Sequence, residues 1–413
     1  MDIKKQVECY IEERKYSTLQ QASIVASALV AITMAAMNQN MVAAALGGIV
    51  GEFKMGQVTW VAGAYLLTLT AFQPLYGKFS DIFGRGPTLI AAMCMFMAGS
   101  AGCGLAQGPY SLIGWRSISG IGAGGLLTLP FIIISDMVAL EKRSMYMGFI
   151  QITFGVCSVI GPLLGGAFVD MLSWRWVFFF SVPMSIVGLV VVSLMPSSKI
   201  GSTLPLATKL TRIDMAGTAT LLAGTVFLMF GLNVGGKDYA WNSAQVLSSL
   251  GLGVLLLLIF LFVELRVAEE PIVPFRMLNR NTLAVAGTSF SLGFTMSTAI
   301  NYIPLYHQTA QARSFTHAGI HSIVFLLAIS ISAAGSGMLI KKPNHHRILM
   351  WVGMAMVAIC NALGAFIRQD ISQAEEVGFA LFIGLGVGLN IQVVLIMAQA
   401  FTLPEGNISY LLN

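Results

Sequence analysis

The sequence predicts an all-α protein embedded in a membrane, with about twelve transmembrane helices. Composition is the first reason, because 56% of the 413 residues are hydrophobic and only 10% are charged. A soluble domain carries about 25% charged residues, so water is not the expected solvent. The second reason is the arrangement of the apolar residues, which form long runs between short polar segments. Each run can cross about 30 Å of hydrocarbon as a helix.

Twelve apolar runs are the predicted spans. The first 20 residues are polar and lack the apolar centre of a cleaved signal peptide, so we expect the first span to act as an internal signal. The spans cover residues 22–46, 58–76, 89–107, 110–135, 146–169, 175–195, 214–234, 245–263, 284–305, 318–340, 348–366 and 378–401.

The basic residues predict the orientation of the chain. If the N-terminus is cytoplasmic, alternation of the spans puts seventeen Lys and Arg residues in cytoplasmic segments and five on the other side. Cytoplasmic loops of membrane proteins carry such an excess of positive charge. Only Arg116 is left within a span. We therefore expect both termini in the cytosol.

One long polar segment divides the chain. Residues 196–213 contain two prolines and three basic residues, and they are predicted to form a cytoplasmic linker. The other predicted parts are a cytoplasmic tail (1–21), a six-helix bundle (22–195), an inserted helix pair (214–263) and a partial bundle of four helices (264–413).

A short basic loop, GKFSDIFGRGP at residues 77–87, joins the second and third spans. Gly77 and Gly84 are predicted to allow a tight turn. Asp81 is predicted to lie just before the third helix, where the helix dipole favours negative charge, and Arg85 is expected to hold the loop in the cytosol. The pattern G-x-x-x-D-x-x-G-R resembles the signature loop of the major facilitator superfamily, in which it would gate the cytoplasmic side.

The fourth span carries Arg116 followed by a glycine-rich stretch, RSISGIGAGG at residues 116–125. A charge in hydrocarbon is costly, so Arg116 should face the bundle interior or a cavity. The glycines would allow close helix contact and leave room for a substrate path. The stretch resembles the superfamily motif R-x-x-x-G-x-G-x-G, which implies a role in proton transfer. The alternative is an arginine that extends to the outer surface from the start of its helix.

The fifth span contains Gly161, Pro162, Gly165 and Gly166. Gly161 and Gly165 have the spacing of closely packed membrane helices, and Pro162 is expected to kink the helix. The pattern resembles the G-P-x-x-G-G motif of drug:proton exchangers. Because the motif has no ionisable group, we expect it to serve helix packing and hinging.

Two further patterns extend the resemblance. Residues 174–183, WRWVFFFSVP, are similar to the superfamily's W-R-W-x-F-x-x-N-x-P, with Ser181 at the position of Asn. Residues 135–143, SDMVALEKR, resemble the turn that closes the fourth span. Together the motifs resemble the fungal fourteen-helix drug:proton antiporters, and among these the vacuolar basic amino-acid permeases. The resemblance implies alternating access between two helical bundles around a midplane cavity. It also implies proton-driven transport of a basic amino acid or a drug or toxin, in the vacuolar or plasma membrane.

The sequence departs from this family in two respects. Asn38 stands where the first helix of the family has an acidic residue, and no Asp or Glu lies deep in any span. A proton carrier needs a titratable group, so coupling is left open. The chain also ends after twelve spans where a fourteen-helix member would continue. The alternative hypothesis is a truncated, non-transporting membrane protein with a structural or regulatory role.

Polar residues within the spans are the candidate substrate contacts, and hydrogen bonds between helices are the alternative for each. We find no nucleophile–base set for an enzyme, and the adjacent His345 and His346 lack partners at metal-ligand spacing. We therefore expect no enzymatic activity, cofactor, metal or nucleic-acid partner, and a monomer in the lipid bilayer that binds a small molecule and protons. The candidate contacts are Asn38, Gln73, Gln151, Asn301, Asn390 and Gln392.

Overall fold

The structure is a computed structural model that describes residues 17–53, 59–138, 140–196, 214–268, 272, 279–309, 315–339, 345–364 and 372–401. Within these ranges the regular structure is helical, apart from one isolated β-bridge between Gly235 and Tyr239. The expectation of an all-α membrane protein is confirmed. Ten of the described helices are long and apolar enough to cross a membrane.

Helices occupy all twelve predicted spans, and the sixth span is divided into two helices at Phe180. The first seven helices are α1 (Thr18–Phe53), α2 (Thr59–Phe83), α3 (Arg85–Gly104), α4 (Pro109–Met137), α5 (Leu140–Met171), α6 (Arg175–Phe179) and α7 (Ser181–Ser193). The others are α8 (Met215–Val234), α9 (Ala244–Arg266), α10 (Arg280–Thr309), α11 (Phe315–Leu339), α12 (His345–Gly364) and α13 (Gln373–Phe401).

The turn between α2 and α3 is shorter than the sequence suggested. Gly77 lies inside α2 and makes no turn, and Asp81 lies in the last turn of α2 instead of just before α3. Only Gly84 leaves the helical conformation, with φ 98° and ψ 154°. This φ is unfavourable for a residue with a Cβ, so glycine is required at the corner. The predicted end of α2 is wrong because the helix continues past its apolar segment into polar residues.

The chain divides into two compact units. The first consists of Met1–Val138 and Gly161–Pro274, and the second of Ala139–Ile160 and Phe275–Asn413. Helix α5 therefore contributes its first part to the second unit and its last part to the first. The predicted tail and linker stay predictions, because residues 1–16 and 197–213 lie outside the described part of the chain.

In the first unit, α4 lies between α2 and α3 at backbone-contact distance. A Cβ at Gly120 would lie 2.4 Å from the carbonyl oxygen of Tyr65, and a Cβ at Gly122 would lie 2.4 Å from the nitrogen of Phe96. Gly124 and Gly125 are similarly close to α2 and α3. These glycines serve helix packing, as small residues do in membrane bundles. The predicted substrate path along them is wrong, because the neighbouring backbones fill that space.

The inserted pair, α8 and α9, is a hairpin that packs on the same unit. Gly224 and Gly231 of α8 face leucines of α9, where an added Cβ would come within 3.0 Å of a leucine side chain. The ring of Phe230 lies 5.5 Å from that of Trp60, which joins the hairpin to α2. In the second unit, α13 packs on α11 and α12, and Gly388 lies against the backbone of Ile329.

Candidate functional site

Arg116 lies in the interior of the first unit and is 2% exposed. Its Nε donates a hydrogen bond to the backbone oxygen of Val61 at 3.1 Å, and its Nη1 donates to Oδ1 of Asn38 at 2.9 Å. The alternative in which this arginine extends to the outer surface is wrong. The guanidinium instead connects α4 to both α1 and α2.

Aromatic rings cover the guanidinium of Arg116. Its Cζ lies 4.0 Å from the ring centre of Tyr65 and 5.7 Å from that of Phe178. A cation held over a ring face is attracted by about 2 kcal/mol or more when it is shielded from water. The hydroxyl of Tyr65 is itself buried without a hydrogen-bond partner in the described part of the chain. The charge is thus stabilised by neutral groups.

Asn38 connects Arg116 to α7. Its Oδ1 must be the atom that faces the guanidinium, because arginine only donates hydrogen bonds. Its Nδ2 then donates to Oγ of Ser181 at 3.0 Å. Asn38 and Ser181 both stand at positions where the sequence departs from the family motifs, and here they are direct partners. A hydrogen bond between neutral side chains therefore connects α7 to α1, and Asn38 of α1 connects both to the guanidinium of Arg116.

A second cluster surrounds Arg85 at the ends of α2, α3 and α4. Arg85 is 6% exposed, and it forms ion pairs with Asp81 at 2.6 Å and with Asp136 at 2.5 Å. It also donates a hydrogen bond to the hydroxyl of Ser80. The side chain of Asp81 is 57% exposed and that of Asp136 is 27% exposed, so water still reaches the carboxylates. The sequence indicates the loop at residues 77–87 and the turn at residues 135–143 separately, but it does not indicate that Arg85 and Asp136 are in contact.

A third cluster, which joins the end of α1 to the start of α6, was missed by sequence reasoning. Glu52 at the end of α1 accepts two hydrogen bonds from Arg175, at 2.8 and 3.0 Å, and one from Nε1 of Trp174 at 2.6 Å. Arg175 also donates to the backbone oxygen of Ala106 at 3.3 Å. An available signal was that Glu52 follows the first predicted span (22–46) on the same predicted side of the membrane as Arg175.

The other polar candidates whose side chains the structure describes do not join the Arg116 cluster. Gln73 is half-buried on α2, and Gln151 is half-buried on α5. Asn390 is buried in the second unit, where its Nδ2 donates to Gly386 of the same helix at 2.8 Å and its Oδ1 has no described partner. Gln392 is also buried there. Asn301 belongs to α10, but its side chain lies outside the described part of the structure.

The residues of the glycine–proline motif in α5 differ in their surroundings. A Cβ at Gly161 would lie 2.6 Å from the Cβ of Asn40, and one at Gly165 would lie 2.6 Å from the backbone oxygen of Met41. Gly166 has open space around it, and Pro162 lies within the helix without ending it. The motif therefore supports close packing of α5 on α1.

Comparison with known proteins gives the family. The chain matches the Major Facilitator Superfamily over residues 28–408. It is 34% identical over 386 residues to the efflux pump dotC of Dothistroma septosporum (strain NZE10 / CBS 128990), which covers 92% of this chain and 66% of that protein. It is 34% identical over 379 residues to multidrug resistance protein 3 of Bacillus subtilis (strain 168), which covers 91% of this chain and 72% of that protein. The chain thus spans about two thirds of the length of these relatives.

Solved structures agree on the fold. The human organic anion transporter MFSD10 has a TM-score of 0.64 at 14% identity, over 92% of this chain and 86% of that one. The proton:xylose symporter XylE has a TM-score of 0.64 at 14% identity, over 92% of this chain and 82% of that one. The names of the relatives point to transport and not to an enzyme. The chain is an integral, multi-pass membrane protein, and it belongs to the Major Facilitator Superfamily.

Proposed function

We propose that this protein is a secondary transporter that exports small organic solutes by alternating access. The observation that carries the proposal is the burial of the Arg116 guanidinium among apolar helices with neutral partners. A charge in that position is costly and is retained mainly where a transport pathway uses it. The names of the similar efflux pumps support small organic compounds as cargo and export as the direction.

We further propose that a proton gradient drives transport. Asn38 cannot carry the proton, because an amide does not titrate. Asp136, Asp170 and Glu264 lie near the ends of their helices, as the sequence indicated. The basic amino-acid substrate, the vacuolar or plasma membrane location and the cytoplasmic termini are predictions that stay open.

The Arg85 cluster is proposed as the gating element. It holds the ends of three helices together through one buried cation and two partly exposed carboxylates. Such a cluster can be opened at moderate cost, because water can solvate Asp81 and Asp136 when Arg85 leaves. Asp81, which is the more exposed of the two, is the residue expected to exchange partners during the cycle.

Uptake by the purified full chain in lipid vesicles tests the transport proposal. Vesicles with an imposed pH gradient are expected to accumulate an amphipathic dye or lysine faster than protein-free vesicles. Arg116→Gln is expected to reduce uptake at least tenfold, whereas Arg280→Gln, an exposed arginine at the start of α10, leaves it unchanged. Failure of every solute to accumulate, with and without the gradient, would contradict the proposal.

The gating proposal has its own test. Asp81→Asn keeps the size of the side chain but removes its charge, so uptake is expected to fall by an order of magnitude or more. Asp238→Asn, in the exposed turn between α8 and α9, is the matched control. Equal uptake by the two variants would show that Asp81 has no role in gating.

A further inference from the structure

Among the described residues, the guanidinium of Arg116 has unused donors and no carboxylate partner. Arginine carries five N–H donors. Only its Nε and Nη1 atoms form hydrogen bonds, to Val61 and Asn38, and Nη2 forms none with the described residues. No carboxylate of the described part of the chain forms an ion pair with it. No described carboxylate therefore neutralises this charge, although Arg116 is 2% exposed.

Among the described residues, the groups in contact with this cation are a backbone carbonyl, the amide of Asn38 and the faces of two aromatic rings. The thiol of Cys103 is also close enough to interact with it electrostatically. The hydroxyl of Tyr65 adds a second unused donor, since it is buried without a described partner. Leaving such a buried group unpaired is unfavourable. A ligand that accepts hydrogen bonds and carries negative charge would satisfy both groups at once.

We propose that the Arg116 site, defined by Arg116, Asn38, Tyr65 and Ser181, binds the anionic group of the transported solute. This inference rests on the proposed transport function and specifies its substrate class. The substrates are amphipathic organic acids, with one carboxylate or sulfonate on an apolar body. The guanidinium binds the acidic group by paired hydrogen bonds.

Charge decides between the possible substrate classes. In a medium of low dielectric constant, a single unpaired cation attracts an anion much more strongly than it would in water. A cationic solute is repelled by the same charge, and a neutral solute gains only hydrogen bonds. Asn38 is important here because an amide at this position leaves the charge of Arg116 unbalanced, whereas a carboxylate would neutralise it.

Equilibrium binding to the full chain in lipid nanodiscs tests the inference with three probes of similar shape. They are naphthalene-1-sulfonate, its neutral sulfonamide and 1-naphthyltrimethylammonium. The sulfonate is expected to bind at least tenfold more tightly than either of the others. Arg116→Gln is expected to abolish this preference, and the exposed Arg280→Gln to retain it.

A second variant keeps the inference testable if Arg116→Gln does not fold. Asn38→Asp introduces a carboxylate that competes with the ligand for the guanidinium, so the ratio of sulfonate to sulfonamide affinity is expected to fall about tenfold. Equal binding of the three probes, or a sulfonate preference that survives both variants, would overturn the inference.

Vesicle uptake separates this inference from the transport proposal. Selective sulfonate binding that depends on Arg116, without uptake of any solute, supports the anion site and contradicts transport. Uptake of cationic or neutral dyes without sulfonate binding supports transport and overturns the anion site.

Discussion

Arg85 and Arg116 lie in the same unit and are both nearly inaccessible to water, yet their charges are balanced in different ways. Arg85 has two carboxylate partners that remain partly exposed. Arg116 has an amide, a backbone carbonyl and two rings. At the helix ends, two partly solvated carboxylates neutralise Arg85, and this cluster can exchange partners. Between the helices, neutral groups surround Arg116, which therefore keeps its attraction for an anion.

The largest expected effect comes from removing the amide that connects Arg116 to α7. Asn38→Leu leaves Nη1 of Arg116 without its acceptor and Ser181 without its donor. We expect the free energy of unfolding to fall by about 3 kcal/mol, because one of the lost hydrogen bonds involves a charged group. Unfolding in mixed micelles, followed by tryptophan fluorescence, measures this loss.

The matched control is Gln39→Leu, since Gln39 is the next residue on α1 and is only half-buried. If both variants lose the same stability, the contact of Asn38 with Arg116 contributes nothing measurable, and the contrast between the two arginines is not energetic.

Gly120→Ala is expected to have the next largest effect. The added methyl would overlap the backbone oxygen of Tyr65 and would push α4 away from α2, which carries the ring beneath Arg116. Overpacking of this kind costs about 2 kcal/mol. Gly114→Ala, on the same helix but in open space, should be neutral. A stable Gly120→Ala protein would show that the Arg116 site does not depend on this close contact.

Exchanging the amide and carboxylate partners of the two arginines should change the free energy of unfolding by a smaller amount, with opposite signs at the two sites. Asp136→Asn gives Arg85 an amide partner, and we expect a loss of about 1 kcal/mol, because a charge-assisted hydrogen bond becomes an ordinary one. Asn38→Asp gives Arg116 a carboxylate, and a gain of similar size is expected. The same unfolding measurement applies to both variants. Changes of the same sign would mean that charge balance does not distinguish the sites.

Ionic strength should produce the smallest difference. The Debye length falls from about 30 Å at 0.01 M salt to about 3 Å at 1 M, which weakens pairs that water can reach. The cost of Asp136→Asn should therefore decrease as salt rises, by less than about 1 kcal/mol. The cost of Asn38→Leu should not change. Equal salt dependence would place Arg116 in contact with solvent.

The fold could be predicted well from the sequence, because each helix needs about twenty apolar residues whatever its neighbours are. Boundaries were less accurate at polar helix ends. The sequence pattern predicts a loop over residues 77–87, whereas residues 77–83 continue α2. Hydropathy reports where hydrocarbon ends, whereas a helix continues as long as its backbone hydrogen bonds are made.

The site was predicted only in part. The position of Arg116 within a span predicts its burial, and Asn38 departs from the pattern of the family's first helix. Their contact, and that of Asn38 with Ser181, could not be inferred, since it depends on the rotation of helices separated by up to 143 residues of sequence. The ion pair of Arg85 with Asp136 was missed for the same reason.

The division of α5 between the two units has a consequence for attempts to split the protein. Residues 139–160 belong to the second unit although they precede residues 197–213 in the chain, and the division falls beside Pro162. A polypeptide cut within residues 197–213 would yield a C-terminal fragment that lacks one of its own helical segments. The two fragments would therefore have to assemble by complementation, with the N-terminal fragment supplying the first part of α5 to the second unit.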